Sequence, residues 1–317
     1  SYLTNCSLIL ETDVLVMKLC GMMILEIVSY KRTLNKMNTI YHYCSPESFF
    51  SIIQNQRLWL SSMDHMNDYM EKKWFYSTLK KYLYKNLDAN CVDQFIAHLD
   101  DNISIGTPFA CCLSKSGDIL SQWRAYAKDG FGVSIGFDRE KLDVYDGIIG
   151  NNLDPKHRLT LSDISYMDIN VIECLAERIL SRYSFIKKYY MNEIISTSKF
   201  NRYDKCILEL ISNIIHLNTT TKNPAFKEEK EVRLVYQTLD TGRYEYPESS
   251  SIKDLKYRIS NNQIISYYEL GFPKDAVSEL ILGPNNKFKE SDIVNFLQYN
   301  GFEHSIKILK SKASYGA

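Results

Sequence analysis

Neither sign of charge predominates in this chain: 38 lysines and arginines stand against 38 aspartates and glutamates. That balance leaves no net field to steer the whole molecule toward nucleic acid or an anionic membrane, so any polyanion site has to be local. The eight cysteines, at positions 6, 20, 44, 91, 111, 112, 174 and 206, form no CxxC pair and show no metal-ligand spacing with the six histidines. This excludes a zinc framework and a small disulfide scaffold, and the thiols read as free and mostly buried in a reducing cytosol. The apolar stretch DVLVMKLCGMMILEIVSYKR is interrupted by Lys18 and Glu26, so no run reaches the ~20 residues of a spanning helix. Basic residues ahead of it and a small-residue cleavage site behind it are both missing, which excludes the signal-peptide pattern. No repeat, low-complexity tract or proline-rich linker divides the rest. Residues 1–37 are therefore expected to be an N-terminal extension or peripheral helix, and the protein to be cytoplasmic, with no membrane partner.

What is present suits one large domain, since 317 residues can bury a substantial core without disulfides. TIYHY (39–43) is a short β-rich run, and SPESFFSIIQNQ follows with Ser45 as N-cap and Pro46 at the first helical position. RLWLSS (57–62) is a second strand; the spacing of Tyr69, Trp74, Phe75, Leu79 and Leu83 predicts a helix from Asp68 to about Asn86, and 91–100 a short one after it. PFACCLS (108–114) is apolar and too short for a helix, hence a buried strand on which Cys111 and Cys112 face opposite ways. DILSQWRAYA (118–127) is an amphipathic helix capped by Asp118, and GFGVSIGFD (130–138) a glycine-bounded strand. A helical pattern fills 168–217. FKEEKEVRLVY (226–236), ISYYEL (265–270), VSELILG (277–283) and SIKIL (305–309) are strands, with a helix at 290–299. The expected class is α+β: a mixed, mostly antiparallel split sheet with inserted helices, forming a single domain over 38–317 with a helical insertion at about 168–217.

Several positions carry chemistry. His42, with Tyr43 beside it, sits where a strand runs into a capped helix, a place to meet a phosphate or ribose; a lone strand histidine is otherwise a hydrogen-bonded structural residue. Asn67, Asp68 and Glu71 suit a helix cap. Trp123 and Tyr126, at i and i+3, suit the core, and Arg124 between them suits a phosphate or carboxylate; the glycines that follow make neither GxGxxG nor a P-loop. Alternation over 226–236 puts Glu229, Glu231 and Arg233 on one strand face and Val232, Leu234 and Tyr236 on the other. Such a polar face is either an exposed Glu-Arg ladder or a cleft wall whose two carboxylates have distinct tasks.

As a set these motifs resemble a bacterial domain family of unknown function. Its marks are a Tyr-x-Tyr first strand, a Phe-Asn-Asp-Pro-x-Glu turn, a Phe-Ser ahead of a Trp-x-x-Tyr helix, and a Trp-x-x-Glu-x-Glu-x-Arg strand. They stand here as Tyr41-His42-Tyr43, Met66 to Glu71, Leu113-Ser114, Trp123 to Tyr126 and Phe226 to Arg233, with LILGPNN (280–286) late in the chain. Met66, Tyr69 and Phe226 replace the usual Phe, Pro and Trp. The order of strands, with Ser114 on one and Glu-x-Glu at a later one, is also distantly similar to ADP-ribosyltransferases. That resemblance implies an ADP-ribosyltransferase-like fold and NAD as substrate. His42 would meet a ribose of NAD, Ser114 would support the nicotinamide side, Glu231 would bond the ribose 2′-hydroxyl and Glu229 would orient the acceptor, with Tyr43 and Arg124 among the binding residues. Where the transferases carry Ser-Thr-Ser, this chain has Leu113-Ser114-Lys115.

Three readings compete. The first is an NAD-consuming transferase or NAD glycohydrolase, a toxin or phage-defence effector with a protein or nucleic-acid acceptor. The second is a metal-dependent nuclease or nucleic-acid-binding effector, using Asp68, Glu71, Glu229 and Glu231 near Arg124. The third is a non-enzymatic sensor or interaction module, and homo-oligomerisation is compatible with each.

Overall fold

Chain order and turn chemistry build most of the elements directly. A computed structural model describes residues 38–65, 74–87, 89–103, 108–142, 159–191, 210–237, 254–260, 262–302 and 305–313, with Val144 and Ile252 as single positions. Strand β1 (Thr39–Cys44) ends at Ser45, whose hydroxyl accepts from the Ser48 amide and caps helix α1 (Pro46–Asn55). Gln56, left-handed at φ 51°, turns the chain into β2 (Arg57–Ser62). Helices α2 (Trp74–Asn86) and α3 (Ala89–Ile103) follow, then β3 (Pro108–Ser114), α4 (Leu120–Tyr126) and β4 (Val133–Asp138). The second half holds β5 (Leu159–Asp163), β6 (Ser165–Tyr166), α5 (Ile169–Met191), a helix over 210–220 (α6), β7 (Thr221–Lys222), a 3-10 turn (Pro224–Glu229) and β8 (Glu231–Gln237). It closes with β9 (Lys256–Ser260), β10 (Gln263–Gly271), β11 (Val277–Leu282), α7 (Glu290–Tyr299) and β12 (Lys307–Lys310). The first 37 residues and the 66–71 turn lie outside the described residues.

The expected α+β class holds. The main sheet runs β12-β11-β4-β1-β3-β2-β10-β9, with β8 on β3 and β5 on β8, and all its pairs are antiparallel except β11 with β12. The sheet splits at β3. While β8 pairs with β3 along its whole length, from Pro108↔Gln237 to Ser114↔Glu231, the opposite edge is shared. There β2 meets β3 only at Phe109 and Ala110, and β1 only at Ser114. β1 and β2 diverge in between, joined at their far ends by α1.

Two cores support this. Sheet residues such as Ile40, Leu60, Leu113, Ile135, Leu234 and Leu280 pack with α1 and α7. Phe75, Leu83, Phe95, Ile172, Ile179 and Ile214 form a separate core from α2, α3, α5 and α6. The helices of 74–103 thus share a lobe with the later helices α5 and α6, tied back by Trp74 Nε1 donating to the Met167 carbonyl at 2.9 Å.

Three local expectations are corrected. Asp118 is not the cap of α4, which begins after Ile119 without a side-chain cap; its carboxylate accepts instead from Trp123 Nε1 (2.7 Å), Ser311 Oγ and the Lys312 amide. The strand after α4 starts at Val133 rather than 130, because Gly130 takes φ 82° and a Cβ at Gly132 would lie 2.0 Å from the Cys44 carbonyl. Glu229 does not share a strand with Glu231. Pro224 starts a 3-10 turn capped by Asn223, and Lys230 at φ 48° breaks the extended run, so β8 begins at Glu231. Nor is the polar face an exposed ladder: every residue of β8 is buried.

Candidate functional site

Among the described residues the split leaves strand edges without strand partners, and that is where polar side chains gather. Cys112 lies on the stretch of β3 that neither β1 nor β2 covers, and its carbonyl is met by the His42 ring, with Nδ1 at 3.1 Å. A carbonyl only accepts, so Nδ1 carries the proton and Nε2 remains as an acceptor. A cavity of about 840 Å³ opens on this split. Its walls include His42 and Tyr43 from β1, the cap residue Ser45, Ser48 from α1, Cys112 from β3, and Tyr126 from α4. Glu229, Glu231, Lys222 and Phe226 close the β8 side.

The Glu231 carboxylate accepts from three N–H donors. Arg233 Nε donates to Oε1 at 2.5 Å and Nη2 to Oε2 at 3.1 Å, and Lys222 Nζ reaches Oε2 at 3.1 Å. Lys222 bonds Glu229 Oε2 at 2.6 Å and lies 4.8 Å from the Phe226 ring centre. Arg233 completes itself on the Thr219 carbonyl at 2.8 Å, the end of α6. The result is a buried set of two cations and two carboxylates whose formal charges cancel, the condition under which such charges are tolerated away from water.

Burial pushes the Glu231 carboxyl above its ordinary range, and the Lys222 ammonium and Cys112 thiol oppose it. With N–H donors of Arg233 and Lys222 on both oxygens, the group is held as a carboxylate at neutral pH. Burial works against the Lys222 ammonium, but Glu231 and Glu229 outweigh it and hold its pKa above the ordinary lysine value. Burial draws Arg233 down to about 10, still protonated at neutral pH. Burial, reinforced by Glu231, lifts the Cys112 thiol far above its usual value; this is a protonated thiol rather than a nucleophile.

The positions named from the sequence divide into two groups. His42, Tyr43, Glu229 and Glu231 all line the cavity. Ser114 sits behind it, donating to the Glu229 carbonyl at 2.7 Å and accepting from the Ser116 amide, so that it fixes the turn presenting Glu229. Tyr43 has its hydroxyl between the Ser116 carbonyl and Ile119 amide, both at 2.8 Å, and its ring edge-on to Trp123. Trp123 is wholly buried, as the spacing predicts, whereas Tyr126 is exposed at the cavity wall. Arg124 is exposed on α4 and takes no part in the wall. Lys222, Cys112 and Phe226 were not singled out as binding residues; only Phe226 left a trace, at the family's tryptophan position. Asp68 and Glu71 lie outside the described residues, and no cluster of three or more metal-ligating side chains occurs among those described. Both carboxylates already face fixed cations, against which a divalent ion would have to compete.

His42 also makes the fold pH-sensitive. Burial lowers its pKa below 6.5, with the Cys112 carbonyl opposing. An unfolded histidine takes up a proton near pH 6.5 while the folded one does not, so stability present above that pH is lost as pH falls toward the folded value. Thermal melts from pH 7.5 to 5 are expected to show a steeper acid loss for the wild type than for His42→Asn; equal slopes would refute this.

Residues 122–234 match the model of a family described as a protein of unknown function, DUF2971. The expected resemblance to a family of unknown function is borne out over that stretch, which holds most of α4 and Lys222, Phe226, Glu229, Glu231 and Arg233. No curated protein and no solved structure matches the chain. Among the described residues no helix is long and apolar enough to cross a membrane.

Proposed function

We propose that the chain consumes NAD, breaking the bond between nicotinamide and its ribose and passing the ADP-ribosyl group to a protein or nucleic-acid acceptor or to water. The observation that carries this reading is the position of Glu231. It is a buried carboxylate at the first residue of β8, beside Ser114 of β3, on a cavity that opens where β1, still paired with β4, parts from β3 at His42.

Nicotinamide departs with the bonding pair, and the ribose acquires oxocarbenium character at C1′. Arg233 and Lys222 fix the carboxylate in position, so it needs little reorganisation, and it shares its charge between them and the developing cation. The neutral His42 ring offers Nε2 to a ribose hydroxyl. Glu229, on the turn rather than the strand, is placed to orient the incoming nucleophile and take its proton as the new bond to C1′ forms. Ser114 acts through that turn and does not meet the ligand.

The test is incubation with NAD labelled in the nicotinamide ring, with protein and nucleic-acid acceptors present. Glu231→Gln is expected to lower nicotinamide release about 10²–10³-fold, with Glu229→Gln affecting transfer more than cleavage. Thermal melts of each variant separate lost chemistry from lost folding. Wild type that neither binds nor cleaves NAD would end this reading.

A further inference from the structure

The charges around the cavity are unevenly distributed. At the β8 side Glu231, Glu229, Arg233 and Lys222 cancel, whereas on the wing formed by β2, β10 and β9 the wall carries Arg258, with the Asp64 carboxylate also on the wall just past β2. This arginine on β9 reaches across β10. Its guanidinium lies 4.9 Å from the Trp59 ring centre and 6.0 Å from that of Tyr267, and Nη2 donates to Ser61 Oγ at 3.0 Å. No carboxylate among the described residues pairs with it; Glu269, the acid on the neighbouring strand, is taken by Lys256 at 2.9 Å. Its Nε is buried without a hydrogen-bond partner. A half-buried cation that is held flat on aromatic rings, anchored by one hydroxyl and left with spare donors is preorganised for an anion. Ser260 and Gln263, also on the wall, add polar groups beside it.

We propose that Arg258 is the phosphate anchor of this cavity and that its ligand is bipolar, with phosphate on the β9 side and the reacting sugar on the β8 side. This rests on the NAD reading for the identity of the sugar end, while the anchor itself needs only a phosphorylated ligand. Recognition of the phosphate is then assigned to a late hairpin, and Arg258 contributes binding rather than chemistry.

The experiment measures binding of ADP-ribose, inorganic pyrophosphate and adenosine to wild type, Arg258→Gln and Arg258→Lys by calorimetry, with melts to verify folding. Arg258→Gln is expected to weaken ADP-ribose about 10- to 100-fold, the range of one charge-assisted hydrogen-bonded contact. Pyrophosphate should weaken in parallel and adenosine should be unaffected, while Arg258→Lys, which keeps the charge but loses the fork, falls between. If NAD is turned over, Arg258→Gln should raise KM and leave kcat nearly unchanged. ADP-ribose binding that depends on Arg258 in a protein that never cleaves NAD would sustain the anchor and defeat the NAD reading. A folded Arg258→Gln that binds ADP-ribose as tightly as wild type, or a wild type that binds neither ADP-ribose nor pyrophosphate, would overturn the anchor.

Discussion

Replacing Arg233 with methionine is expected to cost about 3–5 kcal/mol of folding stability, read as a lower urea or thermal midpoint. Methionine fills much of the volume, so the loss does not come from a cavity. It comes from the carboxylate left behind: Glu231 is 5% exposed and would keep Lys222 as its only full counter-charge, a cation already shared with Glu229. The Thr219 carbonyl would also lose its Arg233 donor. Changing Glu231→Leu and Arg233→Met together is expected to recover most of the loss, because an unpaired buried charge costs more than the absence of a pair contributes. A single Arg233→Met variant as stable as wild type would show that water reaches the carboxylate.

Trp123→Ala should cost a similar amount, about 3–5 kcal/mol. The indole is wholly buried between Tyr43, Ala127 and Ile281, and its Nε1 donates to Asp118, which also accepts from Ser311 and Lys312 beyond β12. Trp123→Phe separates the two contributions, retaining most of the packing while removing a hydrogen bond to a charged group worth about 1.5–3 kcal/mol. Urea unfolding of both variants gives the comparison; a phenylalanine variant equal to wild type would mean that Asp118 is satisfied without the indole. The alanine variant should also disturb the cavity, since α4 carries Gln122 and Tyr126 into its wall.

The sequence disclosed these elements unevenly, for physical reasons. β2, β3 and α7 coincide with their expected bounds because short apolar or aromatic runs end at residues that favour turns, and Ser45-Pro46 marks the start of α1 unambiguously. The 229–233 alternation misled because Glu, Lys, Glu, Val, Arg has the period of a strand, and the left-handed residue that breaks it is Lys230, a type that gives no warning. Alternation reveals which residues share a face but not what covers it. The polar side of β8 is buried because Thr219 and Lys222, at and just past the end of α6, lie over it. A buried lysine nine residues from its glutamate leaves no periodic signal. Arg258 is equally silent, because its aromatic partners are on β2 and β10 and only the folded sheet joins them.

The split sheet also sets an order of assembly. His42 meets a carbonyl 70 residues away, and Ser114 bonds one 115 residues away, so the cavity exists only after two long loops have closed, at an entropic cost that local helices do not bear. The stretch that matches the family model, 122–234, begins after β3 and so omits the strand to which β8 is bonded through seven registered pairs. Expressed alone it would present the edge of β8 to solvent, open to pairing with other chains. Single helices can form early, whereas the lobe, which joins 74–103 to α5 and α6, and the chamber on β3 both wait for long loops to close, and the chamber disappears with the first of its contacts to break.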